Sequence, residues 1–334
     1  MSAATKLSGF AAILLVVVAA AFGVGKAVGP VNASANPATG TMAHSGGDSG
    51  SPDSTQAPTA PAVGGLTSSD QGYSLLLAAP TAPSGNPTAL RFHIAGPNGR
   101  PVTEFDQTHD KQLHLVAVRT DTSGFQHVHP TMDPAGTWTT ELNLTPGAWR
   151  LFTDFQPTGF GTSVTLGVNL SVPGDYRPSP LPAPNRTAIV DGYTVTLNGD
   201  LVAGRMSDLT LNISRGGMPV IDLQPYLGAF GHLVALRAND LAYLHVHPQG
   251  EPGDGVTPAG PDITFGATAP SAGSYRLYLD FQHNGVVRTA EFTIAVADGP
   301  PAPKNAENAE NAENTAVPDD SGPAATTADH GGGH

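Results

Sequence analysis

The chain has 334 residues, with 40 glycines, 31 prolines, only 13% charged residues and a formal net charge of −13 with histidine neutral. This composition is poor in helix formers and rich in turn and linker residues, so it favours short strands. The negative charge argues against general binding to nucleic acid. Because the chain has no cysteine, disulfides, thiolate metal ligands and a cysteine nucleophile are all excluded. A metal site must therefore use histidine, carboxylate, methionine or backbone oxygen.

The first 28 residues carry a targeting signal. Lys6 precedes an apolar run from Phe10 to Val24. The run is long enough for a short membrane span and also suits the core of a signal peptide. We predict a signal anchor or signal peptide over residues 1–28, with the rest of the chain outside the cytoplasmic membrane. The alternative to a retained single-pass anchor is cleavage near Ala35, which would give a secreted protein.

Three further segments have the composition of linkers. Residues 29–68 consist mostly of small and polar residues and proline, and they cannot bury enough apolar surface to offset the entropy of ordering, so we predict a disordered stalk. Residues 174–187 are proline-rich and predict a stiff linker. Residues 299–334 include a repeated Asn-Ala-Glu sequence and predict a disordered tail.

Two blocks lie between these segments, at residues 69–173 and 188–298, and they are copies of one another. From Pro101 to Pro130 the copies align without a gap at an offset of 118 residues. Each block contains several short segments rich in β-branched and aromatic residues, separated by turn residues, and neither block has a long helical period. The sequence therefore predicts an all-β protein with two tandem immunoglobulin-like antiparallel β-sandwiches.

A histidine pattern occurs in each block. His127 and His129 alternate with Val128, so in a strand the two imidazoles share one face while Val128 points into the core. If the hairpin turn at residues 120–124 is tight, His114 on the preceding strand lies opposite His129, with the Cβ atoms about 5 Å apart. The corresponding residues of the second block are His232, His245 and His247.

These histidines suit a metal ion, because three neutral imidazoles on one face can bind Cu(II) or Zn(II). Asp154 and Asp280 end equivalent strands of the two blocks, and each is a candidate fourth ligand or an acceptor that fixes a ring tautomer. We therefore predict one site per block, with copper as the ion and zinc as the alternative. His109 and His283 are lower-order candidates because neither has a counterpart in the other copy.

The same histidines fit two other roles. They could form a structural cluster that hydrogen-bonds neighbouring carbonyls and the aspartates, or a face that recognises a protein partner. Duplication would preserve either role as readily as metal binding. No motif for nucleophilic or glycoside chemistry is found in both blocks, so we expect a protein that is not an enzyme.

The repeated string H-L-V-A, F/Y-x-H-V-H-P and D-F resembles a group of exported bacterial immunoglobulin-like domains that are often met in metal-handling, especially copper-related, settings. The residues that carry the resemblance are His114, Phe125, His127, His129, Pro130 and Asp154, and in the second block His232, Tyr243, His245, His247, Pro248 and Asp280. The resemblance covers both blocks and implies an exported location and a metal-related role.

The expected function is that of a membrane-tethered, extracytoplasmic metal-binding protein that sequesters or delivers copper at the cell envelope. Its expected partners are the metal ion, an envelope metal transporter or metalloenzyme, and the membrane through the N-terminal helix, with no nucleic acid. The alternative is an envelope adhesion or scaffold protein that binds a protein partner through its β-sandwiches and whose histidine clusters are structural.

Overall fold

The computed structural model describes residues 63–244 and 246–299, and throughout this part of the chain every regular element is a β-strand. The predicted signal or anchor at residues 1–28, most of the stalk, His245 and the tail from residue 300 lie outside the described residues. Residues 63–244 and 246–299 contain no helical candidate for a membrane span.

Ten strands form the first repeat. They are β1 (Ser69–Asp70), β2 (Tyr73–Leu77), β3 (Gly85–Ala95), β4 (Phe105–Asp106), β5 (Leu113–Arg119), β6 (Gln126–Val128), β7 (Thr131–Met132), β8 (Trp138–Leu144), β9 (Gly147–Pro157) and β10 (Val164–Val172). One sheet has the order β1-β2-β3-β8-β7, and the other has the order β10-β9-β5-β6 with β4 paired to β9.

The second repeat is built in the same way. Its strands are β11 (Thr187–Val190), β12 (Tyr193–Asn198), β13 (Met206–Arg215), β14 (Met218–Pro219), β15 (His232–Arg237), β16 (Tyr243–Leu244), β17 (Val246–Pro248), β18 (Asp262–Thr268), β19 (Gly273–His283) and β20 (Val286–Val296). Its sheets have the orders β11-β12-β13-β18-β17, with β14 paired to β13, and β16-β15-β19-β20. The predicted all-β fold of two tandem immunoglobulin-like domains is confirmed.

Each repeat has its own hydrophobic core between its two sheets. In the first repeat the core includes the fully buried Trp138 and Trp149, together with the inward side chains Leu115 and Ala117 of β5. In the second repeat it is centred on aromatic and aliphatic residues such as Phe292. Because successive side chains of a strand point to opposite faces of the sheet, these side chains point into the core and their neighbours point outward.

A third hydrophobic cluster lies between the repeats, in the region called the junction below. The side chains that form it come from β5 and β9 of the first repeat and from β15, β19 and the β15–β16 turn of the second: Val116, Val118, Phe152, Val234, Leu236, Leu241 and Tyr278, with Phe125 and Tyr243 packed against them. Phe125 and Tyr278 stack with their ring centroids 4.0 Å apart, and the Tyr278 hydroxyl donates a hydrogen bond of 2.6 Å to the Thr122 carbonyl. The outward faces of β5 and of its counterpart β15 are therefore buried against one another.

Residues 63–68, which the sequence assigns to the disordered stalk, are bonded to both repeats. Gly64 forms a β-bridge with Tyr243 of the second repeat, and the Gly65 amide donates to the Thr165 carbonyl of the first at 3.1 Å. Gly65 has a φ of 75°, and a Cβ there would lie 2.6 Å from the Phe152 ring. Glycine is thus required where the chain passes this close to the junction, and the folded unit begins before residue 69.

Candidate functional site: a histidine cluster at the junction

Strand alternation places the first histidine trio on the junction side of its sheet. Because Leu115 and Ala117 face the core of the first repeat, His114 and Val116 face outward. β6 pairs with β5 so that His127 is opposite Val116, and the same register, continued by two residues, puts His129 opposite His114. The predicted hairpin register is therefore present in the structure. Val128 packs against the core, also as predicted.

His114, His127 and His129 converge closely. Nδ1 of His114 lies 3.2 Å from Nε2 of His127, and one ring nitrogen from each of the three residues lies within 4.8 Å of the others. The ring centroids are 5.4 Å apart for His114 and His127, 5.0 Å for His114 and His129, and 4.9 Å for His127 and His129. His114 is 3% exposed and the His127 side chain is 1% exposed, so these two rings are buried, and His129 is half-buried.

Two oxygen acceptors outside the trio hold its rings in place. Nε2 of His114 lies 2.9 Å from the Thr108 carbonyl oxygen. Nδ1 of His127 lies 2.9 Å from Oδ2 of Asp280, which belongs to the second repeat, so this pair crosses the junction. The other Asp280 oxygen accepts a hydrogen bond of 2.6 Å from the Thr289 hydroxyl. Asp280 is thereby fixed on both sides.

These acceptors determine which ring nitrogens carry protons. A carbonyl can only accept, so Nε2 of His114 is the protonated nitrogen and Nδ1 carries a lone pair. A carboxylate likewise accepts from Nδ1 of His127, which leaves the lone pair of the neutral ring on Nε2. The two nitrogens that face each other at 3.2 Å are therefore both lone-pair nitrogens when both rings are neutral. Such a pair repels unless a cation or a proton lies between the two nitrogens.

His129 adds a further nitrogen in need of a partner. Its Nε2 is buried and has no hydrogen-bond partner in the described structure. Leaving a buried polar atom unsatisfied costs about 1–3 kcal/mol. A ligand that accepts a lone pair at this position would remove that cost.

Burial keeps His114, His129 and His232 neutral near pH 7. Desolvation, reinforced by His127 nearby, lowers the pKa of His114 to about 4 even though its bond to Thr108 acts in the other direction. Desolvation and the neighbouring His127 and His114 lower the pKa of His129 to about 3. The same causes lower the pKa of His232 well below its usual value. Neutral imidazoles are the form that binds metal ions.

His232 of the second repeat also lies in the cluster. Its ring is nearly parallel to that of His114, at 4° with centroids 5.5 Å apart, and its centroid is 4.7 Å from that of His127. His109 is more peripheral and exposed, with its ring centroid 5.9 Å from His114 and 5.7 Å from His232. The site is thus shared by both repeats, whereas the sequence predicts one site in each.

His247 is not part of the cluster, which corrects the predicted second trio. Its strand, β17, pairs with β18 of the opposite sheet, where His247 is in register with Gly266 and its side chain is exposed. In the first repeat the change of sheet comes only at β7, after the second histidine of the motif. The second repeat therefore changes sheets earlier, and this difference separates His247 from His232. His245 lies outside the described residues.

The remaining candidates occupy different surroundings. Asp154 is in register with His114 on β9, accepts a hydrogen bond of 3.3 Å from the Thr165 hydroxyl, and has a pKa raised to about 6 by desolvation. His283 is the last residue of β19. Its Nδ1 lies 2.6 Å from the Tyr193 hydroxyl and its Nε2 lies 3.0 Å from Oδ1 of Asp222. His283 therefore belongs to a separate polar contact of the second repeat.

The sharing of the site between the repeats was not predicted from the sequence. The signal was present in β5, where residues 113–118 read Leu-His-Leu-Val-Ala-Val and every one of them is buried. A strand that faces solvent on one side alternates apolar and polar residues, whereas an almost unbroken apolar run indicates burial on both faces. The outward Val116 and Val118 thus indicated a covering partner. The Thr108 carbonyl carries no signal in the sequence, because any residue offers one.

Comparisons with solved structures give only distant matches. The adhesin FdeC of Escherichia coli is 14% identical, with 70% of this chain and 65% of that chain covered and a TM-score of 0.21. InvD of Yersinia pseudotuberculosis is 13% identical, with coverage of 71% and 61% and a TM-score of 0.22. The D00-D0 domain of Intimin is 9% identical, with coverage of 68% and 100% and a TM-score of 0.21. The chain thus spans less than two thirds of the length of the first two structures.

Similarity at this level carries no argument about the function of the chain. No curated protein matches the sequence significantly. Residues 67–174 and 188–298, together more than half of the chain, each match the family described as a domain of unknown function, DUF8832. The chain therefore belongs to that family and carries two copies of its domain.

Proposed function

We propose that the chain binds a divalent transition metal ion, copper or zinc, through His114, His127 and His129 at the junction. The observation that carries this proposal is the pair of lone-pair nitrogens, Nδ1 of His114 and Nε2 of His127, held 3.2 Å apart. Donor atoms of one tetrahedral ion, with metal–nitrogen bonds of about 2.0–2.1 Å, lie about 3.3 Å from each other. The spacing and the tautomers both match what such an ion requires.

The bond between His127 and Asp280 supports the same conclusion. Metal-binding histidines usually donate their second ring N–H to a carboxylate or a backbone carbonyl, which fixes the tautomer and raises the basicity of the ligand. His127 has the carboxylate partner, at 2.9 Å, and His114 has the carbonyl partner, at 2.9 Å. Both supports are thus already in place.

A shared proton is the competing explanation. If His127 were an imidazolium paired with Asp280, its Nε2–H would donate to Nδ1 of His114 and the cluster would be structural. That arrangement accounts for the 3.2 Å contact. It leaves Nε2 of His129 buried without a partner, however, whereas an ion bound through that nitrogen would satisfy it as well.

Copper and zinc suit this donor set. Imidazole is a ligand for zinc, copper, iron and nickel, and affinity for nitrogen sites rises along the first row to Cu(II) and then falls at Zn(II). Magnesium and calcium prefer oxygen ligands. An all-nitrogen cluster in a chain without thiolates therefore favours Cu(II), with Zn(II) next.

The test is metal binding by the full chain, purified in detergent without a polyhistidine tag, with His330 and His334 replaced by alanine so that the tail contributes no imidazole. We expect Zn(II) and Cu(II) to bind with defined stoichiometry, and the Cu(II) EPR spectrum to show coupling to imidazole nitrogens. His127→Ala with His129→Ala should abolish binding. The matched control is His247→Ala, which removes an exposed imidazole from the other sheet and should leave binding unchanged.

Absence of binding by the parent chain, or equal binding by the double variant, would reject the proposal. Loss of binding in the His247→Ala variant would instead point to a second-repeat site that includes this histidine. Circular dichroism and thermal unfolding of each metal-free variant would separate the loss of a ligand from the loss of the fold.

We further propose that the protein is tethered at the cell envelope and sequesters copper or delivers it to an envelope transporter or metalloenzyme. The apolar run at residues 10–24 and the resemblance to exported domains support this location. In spheroplasts, externally added protease should digest the folded repeats while the chain fractionates with membranes. Recovery of an intact chain in the cytosolic fraction would contradict this location.

Envelope adhesion or scaffolding is the second candidate function. Its support is the tandem immunoglobulin-like architecture, since the solved structures that the chain distantly resembles include the adhesin FdeC. The two candidates differ in their dependence on the cluster. A protein partner captured equally well by the parent chain and by the His127→Ala, His129→Ala variant would favour adhesion.

A further inference from the structure

His232 is the residue of the second repeat that extends furthest into the cluster. It begins β15 and is in register with Asp280 of β19, the carboxylate that holds His127. Its ring is half-buried and lies against both His114 and His127. His232 therefore faces the trio from across the junction.

Ring spacing tests whether four imidazoles could surround one ion. With metal–nitrogen bonds of about 2.0–2.1 Å and a ring centroid about 1.1 Å beyond the bonded nitrogen, tetrahedral ligands have their centroids about 5.2 Å apart. Within the trio the centroid distances are 5.4, 5.0 and 4.9 Å. His232 adds distances of 5.5 Å to His114 and 4.7 Å to His127. Five of the six distances among the four rings therefore lie within about half an ångström of the tetrahedral spacing.

We propose that His232 is the fourth ligand, so that one ion is held by four imidazoles from both repeats. This inference rests on the proposed function. The nitrogens that already lie within 4.8 Å of one another belong to His114, His127 and His129, and those of His232 are not among them. For a nitrogen of His232 to reach the ion, its ring must therefore turn about the Cβ–Cγ bond. Such a turn re-aims the nitrogens and leaves the ring centroid nearly in place.

A closed set of four ligands determines how the site is used. Structural zinc sites have four protein ligands, whereas catalytic sites keep one position open for water or substrate. An ion bound by four imidazoles inside the junction is retained and has no open position for catalysis. Release then requires separation of the repeats, because three ligands come from the first repeat and one from the second. The chain binds one ion at this site, where the sequence predicts one ion per repeat.

His109 is the rival fourth ligand and provides the matched control. Its ring centroid is 5.9 Å from His114 and 5.7 Å from His232, so it lies outside the tetrahedral spacing, and it is exposed. Replacing either residue removes one imidazole beside the same cluster. Only the loss of His232 should change the coordination of the ion.

The experiment counts imidazoles in the full-length chain loaded with Zn(II) or Co(II). X-ray absorption of the Zn(II) form should show four imidazole nitrogens, and Co(II) should give the intense visible bands of a tetrahedral site. In His232→Gln the count should fall to three with one added water oxygen, and the dissociation constant should rise more than about tenfold. His109→Ala should keep four nitrogens and the parent affinity.

Three results would overturn the inference. Three imidazoles in the parent chain, an unchanged count in His232→Gln, or a loss of one nitrogen in His109→Ala would each exclude His232 as the fourth ligand. The proposed function would survive all three, because the ion would still be bound by the trio. Failure of the parent chain to bind metal would reject both proposals together. If the His232 variant does not fold, the nitrogen counts of the parent chain and of His109→Ala together decide the inference.

Discussion

Replacement of Asp280 by asparagine separates metal binding from a structural role of the cluster. In the parent chain Oδ2 of Asp280 accepts from Nδ1 of His127, and Oδ1 accepts from the Thr289 hydroxyl. In Asp280→Asn, the amide oxygen can keep the bond from Thr289, which turns the amide NH₂ group toward Nδ1 of His127. That nitrogen then becomes an acceptor, and the ring proton moves to Nε2.

The new tautomer has opposite effects on the two forms of the protein. A proton on Nε2 of His127 is donated to Nδ1 of His114, so the metal-free cluster gains a normal hydrogen bond at the 3.2 Å contact. The same proton occupies the position of a metal–nitrogen bond. Loss of an acceptor that orients a ligand weakens metal binding about 10- to 100-fold, which corresponds to about 1.4–2.7 kcal/mol. We therefore expect weaker metal binding without a loss of metal-free stability.

The structural alternative predicts a different pattern. If His127 is a buried imidazolium paired with Asp280, removing the carboxylate leaves that charge without its partner and destabilises the fold by up to about 3–5 kcal/mol. The assay compares Zn(II) dissociation constants from chelator competition with urea unfolding in excess chelator. Asp154→Asn is the control for charge alone, because the described hydrogen bond of that carboxylate is to Thr165.

A variant Asp280→Asn with the parent affinity for Zn(II) would refute the reasoning. An equal loss of affinity in Asp154→Asn would show that net negative charge, and not the His127 tautomer, controls binding. A large loss of metal-free stability confined to Asp280→Asn would favour the structural cluster.

Three further predictions concern the junction. In the metal-free chain, urea unfolding should show stability falling as the pH is lowered from 6.5 to 4, because unfolded histidines take up protons that His114, with its pKa lowered to about 4, does not, at a cost of up to about 3 kcal/mol. His129 acts in the same direction, and Asp154, with its pKa raised to about 6, acts in the opposite one. A net rise in stability would contradict the burial of His114 and His129 as neutral rings. Tyr278→Phe should lower the free energy of unfolding by about 1–3 kcal/mol, since the Thr122 carbonyl loses its donor, and unchanged unfolding would show that this contact contributes nothing. Gly65→Ala should lower the free energy of unfolding by about 1–3 kcal/mol, because the φ of Gly65 is 75° and the new Cβ would meet Phe152. The control is Gly99→Ala, where φ is 73° but a Cβ meets nothing within 4 Å, so the loss of stability should be smaller.

Local sequence patterns were enough to predict the fold and the first-repeat hairpin. The ungapped repeat set the number of domains, and strand periodicity set which side chains share a face. His114 and His129 could be paired from the length of the turn alone, because an antiparallel hairpin fixes its register once its turn is located. These features depend on residues that are close in sequence.

The second-repeat trio and the sharing of the site could not be predicted in the same way. His127 and Asp280 are separated by 153 positions, and nothing in either motif specifies that they meet. The position of His247 depends on where its strand changes from one sheet to the other, which follows from pairing with β18. The motif is identical in both copies, so the difference comes from the surrounding strands.

The junction explains how one duplicated motif can give a single shared site. Two copies of a strand with apolar outward residues, such as Val116 and its counterpart Val234, bury those residues most completely against each other. The histidine at or next to the start of each of these strands is then brought to the same place, as His114 and His232 are, with parallel rings 5.5 Å apart. Apolar packing of this kind is non-directional and would tolerate many side chains at that edge. The buried imidazoles are expected to lower the stability of the metal-free junction in acid, and the proposed ion would give this polar edge a function that packing alone does not require.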